Sequence, residues 1–386
     1  MISNAMSHHQ LPFCNAMNAS DKINFTFIAT KPLRQERINM GYRDLNKEAP
    51  YIIRSYESEK AYSEAKRAAD ESDFVIYGSA PFDFIKDRIK NGKWTFLYSE
   101  RIFKEKRGGD FLNLKTIAAY ALRYSFSSKK TLRLLCSSAY TSQDYKTFGF
   151  HPKNAYKWGY FPPQSMLSYE QIKAEKTEAS IVWVGRMIHW KHPEMAIMLA
   201  DKLKKNNINF KLTMVGTGVM LDSLQNMTKD LDICDCVSFV GPKQTDETRK
   251  IMEQSQILIA TSDYNEGWGA VINEGMSSGC AVAASHSMGA APYLIKDGKN
   301  GVLFESENID DLYEKTAGLL NNPALCQKMG KNAYHTITDE WNGEAAAQRL
   351  IALMENYWKD NTNFAFEKGI CSVAEPMKTN WYKVKR

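Results

Sequence analysis

The sequence lacks the features that place a protein in a membrane or outside the cell. No run of 18 apolar residues occurs among its 386 residues, and no secretory signal is recognisable, so we expect neither a membrane-spanning helix nor export. The seven cysteines are scattered, and only Cys234 and Cys236 lie close together. No second Cys or His pair stands at zinc spacing from them, which disfavours a structural metal and fits reduced thiols in a cytoplasm.

The charge is unevenly distributed along the chain. The net charge is +6, but residues 1–160 hold 26 Lys and Arg against 16 Asp and Glu, and residues 101–157 hold 12 against 3. This basic first half is interpreted either as a solvated face or as a surface attracted to anionic lipid or to a phosphate-bearing acceptor. Nucleic acid is not an expected partner, since no recognised binding motif surrounds the patch.

Strand-like and helix-like segments alternate in two successive series, and the length favours two domains. This rhythm predicts two α/β domains with doubly wound parallel sheets. Two prolines at 162 and 163, followed by charged residues, mark the boundary between the series. We therefore predict a first domain at 1–164, a linker at 165–178, a second domain at 179–343, and a terminal helix and tail at 344–386.

Residues 262–285 of the second series, SDYNEGWGAVINEGMSSGCAVAAS, combine a glycine-rich loop, a helix start and a strand. Backbone N–H groups at Gly267, Trp268 and Gly269 face the start of a predicted helix, where the positive helix end attracts phosphate. Glu266 precedes these residues and Glu274 follows about two turns into the helix, where a carboxylate accepts hydrogen bonds from sugar hydroxyls. A carboxylate beside a phosphate cradle predicts a nucleotide-sugar ligand.

Four short blocks follow one another between about residue 180 and residue 345. They are Gly185 and Arg186 with Lys191, the VGTG of 215–218, the FVG of 239–241, and the two glutamates at 266 and 274. In this order and spacing they resemble the retaining GT-B glycosyltransferases of family 4. Phrases such as KWGYFPP and PYLIKDGKNG resemble a bacterial subgroup associated with surface polysaccharide synthesis. The resemblance implies a GT-B fold, with two Rossmann-like domains facing a cleft and a last helix and tail that cross back to the first domain.

The resemblance also implies roles for individual residues. Arg186 and Lys191 would bind the donor diphosphate and stabilise the leaving group, with backbone donors from Gly267, Trp268 and Gly269. Glu274 would hold the ribose hydroxyls and Glu266 those of the transferred sugar. The nucleoside side of the site comprises Glu274, Gly216, Gly218 and Gly241. For each set a structural alternative stands beside the functional one: a surface cation, a helix-start carboxylate, or a glycine needed by a strand-to-helix turn.

The catalytic group of the first domain is less clearly specified. Relatives often carry a histidine after a first-domain strand, whereas the comparable loop here contains Glu100, which could equally pair with Arg101. His9, beside His8, is a rival in another strand-end loop, and a solvated loop is the alternative for both. Glu100, Glu266 and His9 are therefore the catalytic candidates, because retention can use a carboxylate as nucleophile or as support for an ion pair.

Two metal-like patterns are discounted. Asp230 and Asp232 form a DxD sequence at a predicted helix end, and His189 and His192 have metal-like spacing without a nearby third ligand. We interpret these residues as solvated caps and loop positions. Arg186 and Lys191 can neutralise a diphosphate, so we expect neither a metal nor another cofactor.

These observations lead to one functional hypothesis and two alternatives. We expect a cytoplasmic retaining glycosyltransferase that uses a nucleoside-diphosphate sugar, UDP-sugar first, and a glycan or lipid-linked acceptor in cell-surface polysaccharide synthesis. The amphipathic segment FLNLKTIAAYALRY beside RIFKEKR fits a peripheral contact with an anionic membrane, although a helix packed on a sheet has the same pattern. The alternatives are a nucleotide-sugar epimerase of the same fold and a non-catalytic nucleotide-sugar-binding subunit.

Overall fold

The computed structural model describes residues 1–34, 43–104, 114–124 and 130–383. The chain divides into two units. The first unit comprises Met1–Pro163 and Trp341–Lys378, and the second comprises Gln164–Glu340 and Thr379–Arg386. Each unit contains one parallel β-sheet with helices, so the prediction of two α/β domains is confirmed.

The first unit is built on a seven-stranded sheet. Its strands are β1 (Ile2–Ser3), β2 (Phe27–Ala29), β3 (Ile52–Arg54), β4 (Phe74–Tyr77), β5 (Trp94–Ser99), β6 (Leu132–Cys136) and β7 (Ala155–Lys157). They are arranged in the order β3-β2-β1-β4-β5-β6-β7, with parallel pairing throughout. Strands such as LRLLC are buried at every position, as expected where helices cover both faces of a parallel sheet.

The α-helices of the first unit connect successive strands, except for the last helix, which follows all the strands. They span Leu11–Ala19, Glu59–Glu71, Asp83–Lys90, Leu114–Tyr124, Thr141–Thr147 and Gly343–Trp358. The predicted amphipathic helix is observed from residue 114, and residues 111–113 lie outside the described residues. Side chains cap two of these helices at their N-termini: Ser58 accepts a hydrogen bond from the Ala61 N–H, and Asn342 accepts one from the Ala345 N–H.

The last helix and much of the tail belong to the first unit. Helix Gly343–Trp358 packs on Leu11–Ala19, and its Tyr357 ring stacks 4.6 Å from Trp94, between ring centroids. Beyond it, Cys371 and Ala374 donate N–H bonds to the carbonyls of Lys157 and Ala155. The tail thus pairs with β7 and covers the edge of the sheet. Residues from 379 onward belong to the second unit.

The second unit contains a six-stranded sheet. Its strands are β8 (Thr177–Val184), β9 (Lys211–Val215), β10 (Val237–Gly241), β11 (Ser255–Ala260), β12 (Ala281–Ser285) and β13 (Val302–Phe304). The order is β10-β9-β8-β11-β12-β13, again all parallel. The chain order reverses between β8 and β11, which makes this pair the topological switch point of the sheet.

Helices surround this sheet as well. They span Tyr169–Glu175, Glu194–Lys205, Leu221–Asp230, Thr245–Gln254, Val271–Ser277, Ala291–Leu294, Ile309–Leu320 and Pro323–His335. The first of them lies in the stretch predicted as a linker, so residues 165–178 are structured rather than a free connection. Its capping box joins Ser168 and Gln171, and its Tyr169 and Ile172 side chains are buried. This helix has seven residues, about two turns, and its apolar periodicity was too short to be recognised in the sequence.

Within the part of the chain that the structure describes, no helix combines the length and apolar character needed to cross a membrane.

Candidate active site

The candidate site of the second unit lies at the carboxyl edge of β8 and β11. β8 is followed by Gly185 and Arg186, and β11 is followed by the loop that carries Glu266. The two strands are hydrogen-bonded neighbours. Because ligands of open α/β sheets bind beyond the carboxyl ends of strands at the switch point, the topology brings these predicted residues to one place.

The two predicted diphosphate-binding cations occupy different environments. Arg186 is exposed, and its guanidinium carbon lies 5.7 Å from the ring centroid of Trp190. Lys191 ends a single 3₁₀ turn, His189–Lys191, and its side chain is 17% exposed. The Lys191 ammonium forms an ion pair with the Glu266 carboxylate, which is equally shielded. The β8 loop therefore presents one exposed arginine and one lysine that is paired with a carboxylate.

The loop after β11 is shaped by its own side chains. Asp263 Oδ1 accepts a hydrogen bond from the Asn265 N–H at 2.7 Å, and the Glu266 N–H donates to the Asp263 carbonyl at 3.1 Å. The Ser262 hydroxyl donates to Glu266 Oε2 at 3.3 Å. Gly269 has φ +91, and a β-carbon there would lie 2.5 Å from Met288 Cε. This tight turn holds Glu266 at the carboxyl edge of β8 and β11.

Trp268 contributes differently from its neighbours. Its side chain is fully buried, and its indole N–H donates to Asn273 Oδ1 at 2.8 Å. The side chain therefore anchors the turn to helix Val271–Ser277, and the Trp268 carbonyl accepts the Ala290 N–H at 2.9 Å. Backbone donation from Gly267, Trp268 and Gly269 stays a prediction.

Glu274 lies in the first turns of helix Val271–Ser277. Burial raises the pKa of its carboxyl to about 7, against the opposing effect of the cations Arg249 and Lys191. A carboxyl poised near neutrality inside the unit is typical of a binding or catalytic position. Glu266 lies in the loop before this helix, so the two glutamates belong to different elements. The assignment of Glu274 to ribose hydroxyls and of Glu266 to the transferred sugar stays a prediction.

The three glycines of the predicted nucleoside side are each favoured at their positions for a structural reason, and the reasons differ. A β-carbon on Gly216 would lie 1.9 Å from the Gly185 carbonyl oxygen, and one on Gly218 would lie 2.4 Å from that of Met187. At Gly241, which has φ +72, no atom lies within 4 Å of the added carbon. Gly216 and Gly218 thus allow the β9 loop to pack on the β8 loop, whereas Gly241 is favoured by its backbone conformation alone.

Sequence reasoning missed the residues that join the β8 and β11 loops. The Asp263 N–H donates to the Trp190 carbonyl at 3.0 Å, and the Thr261 hydroxyl donates to the Lys191 carbonyl at 2.6 Å. His192 faces Asp263 and Glu194 through its two ring nitrogens. The polar run TSDYN directly after an apolar strand was the available signal, since strand-end polar residues gather at the ligand edge.

The catalytic candidates of the first unit form their own cluster. Glu100 follows β5 and accepts a short hydrogen bond from the Tyr160 hydroxyl, and its other oxygen lies 3.4 Å from Lys104 Nζ. The His9 ring stacks on Tyr160 with 5.3 Å between ring centroids, and His8 lies beside it. Tyr160, which the sequence did not single out, thus connects Glu100 and His9.

Arg101, the alternative partner for Glu100, points elsewhere. It is buried, its guanidinium lies 3.8 Å from Asp144 Oδ1, and it stands over the Tyr140 ring at 5.2 Å. Asp144 also accepts the N–H groups of Ile102 and Phe103. Burial raises the pKa of Asp144 to about 6, while Arg101 and these N–H groups lower it. Within the residues that the structure describes, Glu100 is therefore paired with Tyr160 and Lys104.

The two metal-like patterns, Asp230 with Asp232 and His189 with His192, lie at helix ends and in turns. Asp230 ends helix Leu221–Asp230, and Asp232 has φ 54 in the following turn, where its carbonyl accepts from Lys204. This helix begins at the carboxyl edge of β9 and returns, so both aspartates lie at the opposite edge of the sheet from the candidate site. His189 is exposed and His192 is a loop residue that caps the 3₁₀ turn.

Comparison with known proteins supports this reading of the second unit. Residues 168–336 match the family described as "Glycosyl transferases group 1". A curated relative, the poly(ribitol-phosphate) alpha-N-acetylglucosaminyltransferase of Staphylococcus aureus (strain COL), is 28% identical over 181 residues, which are 47% of this chain and 36% of that protein. The chain thus spans about a third of the length of this relative.

Solved structures resemble both units. The structure of HepE from Anabaena in complex with UDP matches with a TM-score of 0.67 at 12% identity, covering 92% of this chain and 98% of that one. The lipopolysaccharide outer core galactosyltransferase WaaB, in its apo form, matches with a TM-score of 0.64 at 17% identity, covering 93% and 98%. At such identities the likeness concerns the fold, and the predicted GT-B fold class, with two parallel-sheet α/β units, is confirmed.

Proposed function

We propose that this chain, whose residues 168–336 match the glycosyl transferases group 1 family, is a glycosyltransferase that uses a nucleoside-diphosphate sugar as donor. In this proposal the sugar is transferred with retention of configuration from a UDP-sugar to a glycan or lipid-linked acceptor during cell-surface polysaccharide synthesis. The proposal extends to the whole chain what the family match assigns to residues 168–336.

One observation carries the proposal: a lysine and a glutamate form an ion pair at the switch point of the second unit's sheet. Lys191 comes from the β8 loop and Glu266 from the β11 loop, and they form a shielded ion pair. A sugar diphosphate presents an anion directly beside sugar hydroxyls. Lys191 can bind the diphosphate while Glu266 accepts hydrogen bonds from the hydroxyls, so the pair matches the two ends of the bond to be broken.

Arg186 completes the charge balance of the leaving group. Negative charge builds on the diphosphate as the sugar departs, and preorganised cations stabilise that charge. Two cations, Arg186 and Lys191, face a diphosphate in this proposal, and we propose that the reaction needs no metal. The bond between the anomeric carbon and the diphosphate oxygen breaks, the nucleoside diphosphate leaves, and the acceptor hydroxyl oxygen bonds to the anomeric carbon as its proton passes to the leaving diphosphate. Glu266 keeps its contact with the transferred sugar.

The neighbours' names support the choice of donor and acceptor. HepE was solved with UDP, the Staphylococcus relative is named as an N-acetylglucosaminyltransferase that acts on poly(ribitol-phosphate), and WaaB as a galactosyltransferase of lipopolysaccharide outer core. We therefore propose UDP as the nucleotide and a surface polymer or its lipid-linked precursor as the acceptor.

Calorimetric titration of UDP, GDP and ADP, and then of their sugars, tests the donor assignment. Lys191→Ala and Glu266→Ala should weaken binding of the UDP-sugar by about 10- to 100-fold, the loss expected for a charge-assisted hydrogen bond. Lys229→Ala is the matched control, because Lys229 is exposed near the far end of helix Leu221–Asp230. Binding that is unchanged in both site variants would defeat the assignment, and EDTA should leave it unaltered.

Turnover separates the proposed reaction from its alternatives. Release of free sugar with retained anomeric configuration, observed by NMR, supports a retaining transferase. Conversion of the donor into another nucleotide sugar supports an epimerase, and binding without turnover for every acceptor tried supports a non-catalytic subunit. Glu100→Gln and His9→Ala, if these residues act in catalysis, should lower turnover at unchanged donor affinity.

A contact with an anionic membrane is proposed from charge alone. The basic residues between 101 and 157 carry the proposal, and part of this segment lies outside the described residues. We propose a cytoplasmic enzyme that works at the inner face of the cytoplasmic membrane. Sedimentation with phosphatidylglycerol-containing vesicles, compared with neutral vesicles, should show binding that salt weakens; equal sedimentation with both would end this idea.

A further inference from the structure

We propose that His192, together with Asp263, is a positioning residue that fastens the loop carrying Lys191 to the loop carrying Glu266 while both side chains engage the donor. This inference rests on the proposed function, since it concerns the residues assigned to the diphosphate and the sugar. It assigns a role to a histidine that the sequence pattern marks only as a cap.

The backbone of His192 is the first observation. Its φ is 46 and its ψ is 52, which is the left-handed conformation. Glycine adopts this conformation freely, whereas a residue with a β-carbon is disfavoured in it. A histidine at this position therefore needs compensating contacts from its side chain.

The imidazole makes such contacts on both sides. Nδ1 lies 2.9 Å from Glu194 Oε1, and Nε2 lies 3.3 Å from Asp263 Oδ2. Carboxylates only accept hydrogen bonds, so both ring nitrogens must carry a proton for both bonds to form. The arrangement is that of an imidazolium held between two carboxylates, one on helix Glu194–Lys205 and one in the loop after β11.

The pKa values agree with this arrangement. The hydrogen bond with Asp263, followed by that with Glu194, raises the pKa of His192 to about 10, against a lowering by burial. For Asp263, burial acts to raise the pKa, but the hydrogen bonds from His192 and Asn265 outweigh it and the pKa is lowered. The ion pair is therefore charged at neutral pH.

The second argument concerns what happens when a donor binds. The Lys191–Glu266 ion pair joins the same two loops, but both of its members must turn to the ligand in the proposed reaction. The contact of His192 with Asp263 uses neither of them, so it can persist while Lys191 exchanges Glu266 for a phosphate. Asp263 passes this restraint to Glu266, because its carbonyl accepts the Glu266 N–H and its Oδ1 shapes the turn at Asn265.

Backbone and hydroxyl groups also join the two loops beside His192. The Asp263 N–H bonds the Trp190 carbonyl, and Thr261 bonds the Lys191 carbonyl and accepts from the Trp183 indole at 2.9 Å. His192 supplies the charged connection beside these neutral ones. Its removal should loosen the loops without unfolding the sheet.

A double-mutant cycle tests the role. His192→Gly keeps the left-handed backbone at no steric cost and removes the imidazole, and His189→Ala, on an exposed residue of the same 3₁₀ turn, is the matched control. We expect His192→Gly to weaken UDP binding about tenfold in the otherwise native protein, but less than about twofold in the Lys191→Ala background. A purely structural role would give the same factor in both backgrounds, and that result, or no effect of His192→Gly, would overturn the inference.

Hydrogen exchange tests the fastening without any nucleotide. In the ligand-free full chain, His192→Gly should accelerate exchange of the amides in 188–192 and 261–269, while β9 and β12 exchange as in the native protein and in His189→Ala. Unchanged exchange in those two loops would overturn the inference. If His192→Gly does not fold, His192→Asn replaces it, because asparagine tolerates the left-handed conformation.

The two experiments also separate this inference from the proposed function. Native protein that binds no nucleoside diphosphate would refute the proposed function, and the exchange measurement would still decide whether His192 fastens the loops. Native protein that binds UDP normally, with His192→Gly indistinguishable from it in affinity and exchange, would refute the inference alone.

Discussion

Replacing Gly216 with alanine should destabilise the second unit more than the same change at its neighbours in the predicted nucleoside site. The added carbon would lie 1.9 Å from the Gly185 carbonyl oxygen, and the φ of +129 is one that L-residues rarely adopt. The opposing atom is backbone and is held in place, since the Gly185 N–H donates to the Val215 carbonyl at 3.0 Å. Neither partner can move aside without breaking the contact between the β8 and β9 loops.

The magnitude follows from two additive costs. Backbone strain of this kind costs about 1–3 kcal/mol, and overpacking costs about 1–3 kcal/mol, so Gly216→Ala should lose roughly 4 kcal/mol of unfolding free energy. Gly218→Ala meets the Met187 carbonyl oxygen at 2.4 Å without a positive φ and should lose about 2 kcal/mol. Gly241→Ala has φ +72 but open space, and should lose about 1 kcal/mol.

Urea denaturation of the full chain, followed by tryptophan fluorescence, measures the three losses. Gly92→Ala is a control in the first unit, since Gly92 has φ +66 with no atom near the added carbon, and should resemble Gly241→Ala. The reasoning would be refuted if Gly241→Ala cost as much as Gly216→Ala. It would also be refuted if Gly216→Ala left the unfolding free energy unchanged and weakened only UDP binding, because the glycine would then serve the ligand and not the loop contact.

Three further predictions concern buried charge. Arg88→Met should lower the unfolding free energy of the first unit by about 3 kcal/mol relative to Arg88→Lys, because Arg88 is buried and its guanidinium bonds the carbonyls of Ala69, Ser72 and Trp94; equal denaturation midpoints would contradict this. Burial raises the pKa of Glu274 above its unfolded value, so its contribution to stability is full below about pH 4.5 and lost as pH rises through about 7. Glu274→Gln should therefore melt higher than the native protein at pH 8, melt equally at pH 4, and bind UDP more weakly; a lower melting temperature at pH 8 would exclude the assigned burial cost. The pKa of His192 is also raised, so its stabilising bonds are fully present below about pH 6.5 and lost as pH rises through about 10. Over this pH range the native protein should lose about 1–2 kcal/mol of unfolding free energy, whereas His192→Gly should not. Parallel pH profiles of the two proteins would contradict this prediction.

The sequence by itself determined the class of fold and the residue types of the candidate site. Continuous apolar runs such as AVAA at 281–284, spaced by helical segments, predict buried parallel strands, and β12 is buried throughout. The polar and glycine residues after these runs predict a ligand edge. Glu266 was predicted as a site residue from its place after a strand and Lys191 from the family resemblance, and both roles stay predictions. Their direct ion pair was not predicted.

Several features escaped the sequence because they depend on which strands become neighbours. β8 and β11 are separated by more than 70 residues, and only their pairing brings Lys191 to Glu266 and His192 to Asp263. The helix Tyr169–Glu175 within the predicted linker is too short for its periodicity to stand out. Tyr160 joins Glu100 and His9 only because β1, β5 and the segment after β7 end at the same edge of one sheet.

The glycines show the division between sequence and tertiary structure most directly. The GTG of 216–218 indicates a tight turn in any context, and the sequence permitted the interpretation that the turn makes room for a nucleotide. The structure shows that Gly216 and Gly218 make room for the β8 loop. A local pattern specifies which backbone conformations are accessible, but the atom that a side chain would strike belongs to another strand, and only the tertiary fold decides which strand that is.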